Sequence, residues 1–142
     1  MAYAFNDDKS KYDMTTLINT VDGLTATVAT KTVTLTNPTG VTSSNKQTIF
    51  TRLGNLVMMR FIMVGSLAAT NTNYTFTDAR PSGYTPEQTL QLSVVVINGA
   101  NVLGSAKLTQ DGTSIKLTSN YKSTAEYTAT VMYYTTDPMP IS

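Results

Sequence analysis

The chemistry open to this chain is bounded first by what it lacks: its 142 residues include no Cys and no His. Thiolate nucleophiles, disulfides, imidazole bases, Ser-His-Asp triads and the common zinc sites are excluded together. Nine acids, ten Lys and Arg and eight tyrosines remain. Asp78, Glu87, Asp111 and Glu126 stand singly near turns or on polar faces, which argues against the paired carboxylates of a glycosidase. The glycines are dispersed among turns, with no Walker or dinucleotide motif. The expectation is a non-enzyme with no catalytic residue, no cofactor and no metal.

Two groups of side chains invite a binding reading. Aromatic faces pack on the C–H surface of sugar rings, while Tyr, Asn, Asp and Arg hydrogen-bond sugar hydroxyls. The tyrosines are concentrated in the β-rich part of the chain, and the shaped loop ARPSGYTPEQ contributes both Arg80 and Tyr84. A ligand site is therefore expected around Arg80, Tyr84, Tyr74 and Tyr121; any single Tyr is also an ordinary strand or interface residue. Tyr127 and Tyr133 share the apolar face of the last strand and read as core. The second group surrounds Arg60, the one cation inside the apolar run Leu56 to Val64. A desolvated guanidinium needs a partner, so Arg60 either faces a subunit interface or ligand groove, or stacks on Tyr or pairs with an acid.

The elements that must carry these residues are strands. Charged residues make up 13% of the chain, about half the usual share, and Thr, Asn and Ser fill the gap. Low charge with abundant Thr, Val and Tyr suits pleated, half-buried surfaces. The ten cations are scattered singly at a net charge of +1, which provides no row for phosphates and excludes a nucleic-acid partner. The longest apolar stretch is far shorter than the roughly 20 residues of a membrane-spanning helix. MAYAFNDDKSKYDM lacks the apolar run of a signal peptide. No membrane insertion and no export by an N-terminal signal are expected.

Residues 1–24 read as a polar leader with a short helix. Met14, Leu17, Val21, Leu24 and Val28 recur at coiled-coil spacing behind Asp13, although Asp22-Gly23 signals a stop. Residues 25–142 read as a β-sandwich head. Thr25 to Asn37 is extended with a parity change that requires a bulge or a turn, placed at Ala29 to Lys31. Val41 to Lys46 reads as a polar loop. Strands follow at Gln47–Arg52, Asn55–Val64, Tyr74–Thr77, Leu90–Val96, Val102–Leu108, Ile115–Leu117 and Ala125–Tyr134, with turns at Gly54, Gly99 and Gly112. About eight short strands punctuated by Gly, Pro and Asn predict an all-β, antiparallel, jelly-roll-like sandwich. Both faces of Leu56–Val64 are apolar, which reads as burial on two sides.

One order of signals carries a resemblance. Arg52-Leu-Gly-Asn leads into the long apolar strand, then come Arg80-Pro-Ser-Gly-Tyr-Thr-Pro86, Asn98-Gly99 and Asp111-Gly-Thr-Ser-Ile115. This resembles the C-terminal head domains of bacteriophage receptor-binding and baseplate proteins from phages of Gram-positive bacteria, over most of Gln47 to Tyr134. AFNDDKSK is similar to the N-termini of phage structural proteins. The resemblance implies a homotrimer of heads in a virion, adhering to host cell-surface saccharide near subunit boundaries and joined to other virion proteins through its N-terminus. It implies no cofactor and no catalytic residue. The chain is shorter than a full-length receptor-binding protein, having no long shoulder or β-helical neck. A purely structural trimeric decoration or fibre-tip protein is the alternative, and a bacterial adhesin or carbohydrate-binding module the third. Under the trimeric reading the Arg60 side of the central strand, or its Met59 and Phe61 side, lies at a subunit contact.

Overall fold

The computed structural model describes residues 28–140. The leader and helix expected over residues 1–24 lie outside them. The described residues form eight strands and no helix: β1 Val28–Thr34, β2 Val41–Leu53, β3 Leu56–Leu67, β4 Tyr74–Phe76, β5 Leu90–Asn98, β6 Asn101–Asp111, β7 Ser114–Ser119 and β8 Ala125–Tyr134. The all-β, eight-stranded expectation holds.

Every pairing is antiparallel, and the order across the sheet is β1-β2-β3-β8-β5-β6-β7-β4. The sheet divides into two four-stranded leaves, β1-β2-β3-β8 and β5-β6-β7-β4. Only three residue pairs join them: Val95 with Thr128, Val96 with Tyr127, and Ile97 with Glu126. The sheet curls at that join, so the inner faces of the leaves pack on each other as in a sandwich. Phe61 of β3 meets Phe76 of β4 edge to face, with ring centroids 6.0 Å apart. The Thr48 hydroxyl of β2 donates to the Ala79 carbonyl beyond β4 at 2.8 Å.

Alternation decides which side chains enter the core. Val57, Met59, Phe61 and Met63 of β3 are wholly buried, as are Phe50, Phe76, Val96, Leu108, Ile115, Leu117 and Tyr127. The other face of β3 is not. Met58 and Arg60 are exposed and Leu56, Ile62 and Val64 half-buried, so β3 is central within its sheet but covered on one face only. Met59 and Phe61 therefore belong to the chain's own core, and the subunit contact expected of them is corrected. The hydrophobic demand of the interior is met by the facing leaf.

Three turns behave as their residues require. Gly54, Gly99 and Gly112 have φ of 57°, 59° and 59°, values that admit glycine without the steric cost a side chain meets. Two expectations fail for physical reasons. Val41–Lys46 is the start of β2, because pairing with Met63 to Leu67 supplies its backbone partners; Ser44 is the extra residue of a bulge there. Gly65 opposite the bulge lets the strands close up, since a Cβ on it would lie 2.2 Å from the Thr42 carbonyl oxygen. β1 has no bulge and pairs residue for residue with β2. Its side chains are mostly exposed, so no core imposes a parity on it. A bulge sits instead at Leu103, between the Val96–Gly104 and Ile97–Val102 pairs, and turns Val102 outward.

Candidate functional site

The chemistry of the described residues collects at one end of the sandwich, where the β2–β3 turn, the loop 79–89, the β6–β7 turn and the segment after β8 converge. Arg52 organises it. The side chain is 2% exposed and lies in the inward row with Phe50 and Thr48. Its guanidinium makes four hydrogen bonds to backbone carbonyls. Nε donates to Gly54 at 2.6 Å, Nη1 to Gly83 at 2.5 Å and Pro138 at 3.0 Å, and Nη2 to Asp137 at 2.6 Å. One rigid fork thus ties the hairpin turn, the loop and the C-terminal segment together.

Arg80 makes a second tie. It is 7% exposed, donates from Nε to the Gly112 carbonyl at 2.7 Å, and donates from Nη1 to the Thr85 hydroxyl at 2.6 Å. The Thr85 N–H donates to Oδ2 of Asp137 at 2.8 Å. The Tyr133 hydroxyl donates to the Tyr84 carbonyl at 2.6 Å, and the Tyr84 ring packs on Phe50 at 5.3 Å between centroids. Gly83 has φ +93°, and a Cβ there would press to 3.0 Å on the Pro140 ring. The loop and the C-terminal segment are thus held in close contact.

The electrostatics follow from this burial. Desolvation pushes the Tyr133 hydroxyl up to about 12 against the opposing influence of Gln110 and Arg80. It also raises Tyr84, against the pull of Arg52. Both phenols therefore stay protonated donors and offer no base. Desolvation of Asp137 works against its ionisation, but the hydrogen bonds from Thr85 and the charges of Arg80 and Arg52 outweigh it and hold its pKa below the ordinary value of 3.8. Gln110, 2% exposed beside the Tyr133 hydroxyl, has no hydrogen-bond partner for either amide atom.

Asp137 sets a pH dependence. Its folded pKa lies below its unfolded one, so its contribution is complete above about pH 4 and is lost as pH falls through the folded value. The melting temperature is expected to decline more steeply below pH 4 in the natural chain than in Asp137→Asn. Parallel acid slopes in the two proteins, read by thermal unfolding, would remove Asp137 from the account.

Of the four residues expected to bind a ligand, the structure brings two together. Arg80 and Tyr84 share this end; Arg80 is committed to Gly112 and Thr85 of its own chain, while Tyr84 packs on Phe50 and contributes to the wall of the groove described below. Tyr74 and Tyr121 lie toward the opposite end. Tyr74 is 6% exposed, and its hydroxyl exchanges hydrogen bonds with the Ala69 backbone at 2.8 and 3.3 Å. Tyr121 is half-buried beside Gly104, and its carbonyl accepts from the Tyr127 hydroxyl at 3.0 Å. Tyr74 fills the gap that Gly40 leaves, whereas the space at Gly104 is taken first by the Asn120 side chain. Arg60, the cation that drew attention in the sequence, is exposed on the outer face of β3. The residue that does the work of a buried guanidinium is Arg52, which hairpin register alone identifies: a turn at Gly54-Asn55 sets Arg52 opposite Val57 on the core side.

What remains open at this end is a groove of about 600 Å³. Among the described residues it is lined by Val28 to Lys31 of β1, by Pro81, Ser82 and Tyr84 of the loop, and by Pro140. A second depression of about 460 Å³ adjoins it across the loop, between Ser82 to Thr85 and Asp137 to Pro140. The groove holds proline and tyrosine surface, two hydroxyl side chains and one ammonium, and none of its lining groups is an acid. Such a lining can bind but has no general base with which to move a proton.

No family model and no curated protein matches this chain. Among solved structures, the distal domain of the mouse adenovirus 2 fibre is similar at 12% identity and a TM-score of 0.49, over 80% of this chain and 81% of that one.

Proposed function

We propose that this chain is a non-catalytic head domain of a phage-type virion appendage, assembled as a homotrimer, that adheres to host cell-surface carbohydrate through the loop-built end of its sandwich. The observation that carries the adhesive part is the groove between β1, the loop 81–84 and Pro140. Arg52 and Arg80 brace its loop wall from inside, so the surface is fixed before any ligand arrives, which reduces the ordering cost of binding. Its mixed apolar and hydroxyl lining suits the two faces of a sugar ring. The virion setting, the homotrimer and the attachment to other virion proteins rest on the sequence resemblance from Arg52 to Ile115.

A glycan array of host-wall polysaccharides tests the adhesive reading. The natural chain is expected to bind, while Lys31→Ala and Ser82→Trp, both at exposed groove positions, weaken binding at least about tenfold with melting temperatures within ~2 °C of the parent. No binding to any wall polysaccharide, together with normal host adsorption by virions lacking the protein, overturns it. The burial of Arg80, Tyr84 and Tyr74 favours a second reading, in which the domain is a structural decoration or fibre tip without a ligand. That reading is what such a failure would leave.

A further inference from the structure

Among the described residues, Gln110 alone has buried side-chain nitrogen and oxygen atoms with no hydrogen-bond partner. The residue is 2% exposed and belongs to the inward row of β6 with Ala106 and Leu108. The neighbouring Tyr133 hydroxyl has already given its hydrogen to the Tyr84 carbonyl. An amide buried without partners costs stability, and one that the fold retains calls for a partner from outside the chain.

Gln110 stands in the wall of a pocket of about 230 Å³ between the end of β6 and the loop 85–89. This pocket is a third depression at the loop-built end of the sandwich. It shares Thr85 with the second, which shares Ser82 and Pro140 with the groove, so the three follow one another round the loop. Arg80 braces the pocket's two sides from within: Nε donates to the Gly112 carbonyl on one, and Nη1 to the Thr85 hydroxyl on the other. The exposed Glu87 is anchored through its N–H to the Tyr134 carbonyl at 3.3 Å, and its carboxylate is the one charge in the lining. The space far exceeds the ~30 Å³ of one bridging water and falls short of the ~300–1,000 Å³ of a site that encloses a drug-sized molecule. It has room for one ring.

We propose that this pocket seats a single neutral sugar residue by two adjacent hydroxyls, with the Gln110 amide as the group that reads them. The proposal rests on the adhesive reading above and adds to it the charge and the hydrogen-bonding pattern of the glycan. A Gln amide presents an acceptor and a donor side by side. Adjacent ring hydroxyls each give and take a hydrogen bond, so one such pair completes both atoms. A phosphate group offers acceptors alone; it leaves Oε1 unmet and brings like charge to Glu87. An ammonium offers donors alone and leaves Nε2 unmet. The last torsion of Gln is soft, so the amide turns toward an entering group at little cost. Pro86, half-buried in the lining, supplies apolar surface for the C–H side of the ring.

Heteronuclear NMR on the full chain tests this, with the methyl glycosides of glucose, galactose and mannose as probes. Their fully O-methylated forms and inorganic phosphate serve as controls. At millimolar concentration at least one glycoside is expected to shift the Gln110 side-chain amide signal and the Thr89 N–H, and the controls are expected to shift neither. Gln110→Met keeps the length of the side chain and removes the amide. It is expected to lose the Thr89 shift and to weaken retention of the bound wall polysaccharide at least about tenfold. It is also expected to melt at least about 3 °C higher, because the stranded atoms are gone. An unshifted Gln110 signal, or equal shifts from the O-methylated forms, overturns the proposal. So does a Gln110→Met variant melting at or below the parent, which would show that an ordered water already completes the amide. A blank glycan array beside a shifted Gln110 removes the groove's adhesive role and leaves the pocket as a sugar seat. A positive array on which Gln110→Met binds as the parent does has the reverse meaning.

Discussion

Replacing Arg52 by Met is expected to lower the melting temperature by roughly 10–15 °C, more than any other change of a polar residue among those described. The argument concerns what is left behind as much as what is removed. Arg52 serves carbonyls of Gly54, Gly83, Asp137 and Pro138, and these acceptors lose their donor when the guanidinium goes. Stranding the partners of a buried charged group costs about 3–5 kcal/mol, and each kcal/mol is worth about 3–4 °C in a domain of this size. Arg52→Lys is expected to recover less than half, because one ammonium cannot reach carbonyls arranged around a planar fork. Amide exchange should report the damage locally, with faster exchange at Thr85 and Thr135, whose N–H groups bond to Asp137 Oδ2 and the Asn55 carbonyl. A methionine variant melting within 2 °C of the parent, with unchanged exchange at those amides, would show that the four bonds are dispensable.

Phe61→Ala is expected to cost about 3–5 kcal/mol, the range for emptying a large aromatic site in a core. Phe61 is wholly buried, and it lies where the two leaves meet, edge to face with Phe76. Facing side chains cannot collapse into the space without moving one leaf against the other. Phe61→Leu should cost only about 1–2 kcal/mol, since most of the volume is retained. Met58→Ala, three residues back on the exposed face, should change monomer stability by less than about 0.5 kcal/mol. Urea denaturation separates these cases through the midpoint at constant slope. Equal losses at positions 58 and 61 would contradict the assignment of inner and outer faces.

Much of the strand framework was legible from local pattern. β8 alternates over Ala125–Tyr134 as the sequence indicates, and the turns fall at Gly54, Gly99 and Gly112 because few other residues tolerate their backbone angles. The illegible parts depended on partners distant in sequence. Val41–Lys46 is polar and looks like a loop; only its pairing with the far end of β3 makes it a strand. The tyrosines of the expected ligand site were read by what their side chains can do, whereas the gap left by Gly40 decided what Tyr74 actually fills. Arg60 drew attention because its neighbours in sequence are apolar. Arg52, between Thr51 and Leu53, is the one that is buried, because what surrounds it arrives from positions 83 and 137–138.

The last of the described strands, β8, lies in the middle of the sheet. β8 pairs with β3 on one side and with β5 on the other, and the whole leaf β4 to β7 is an excursion between two strands that end up adjacent. During synthesis the β2–β3 and β5–β6–β7 hairpins can each form as they emerge, yet no strand pairing joins one half to the other until residues 125–134 arrive. Completion of the sheet therefore waits for β8. A chain cut short before β8 holds two open sheet edges where the finished protein has none, and both are exposed to any neighbouring nascent chain.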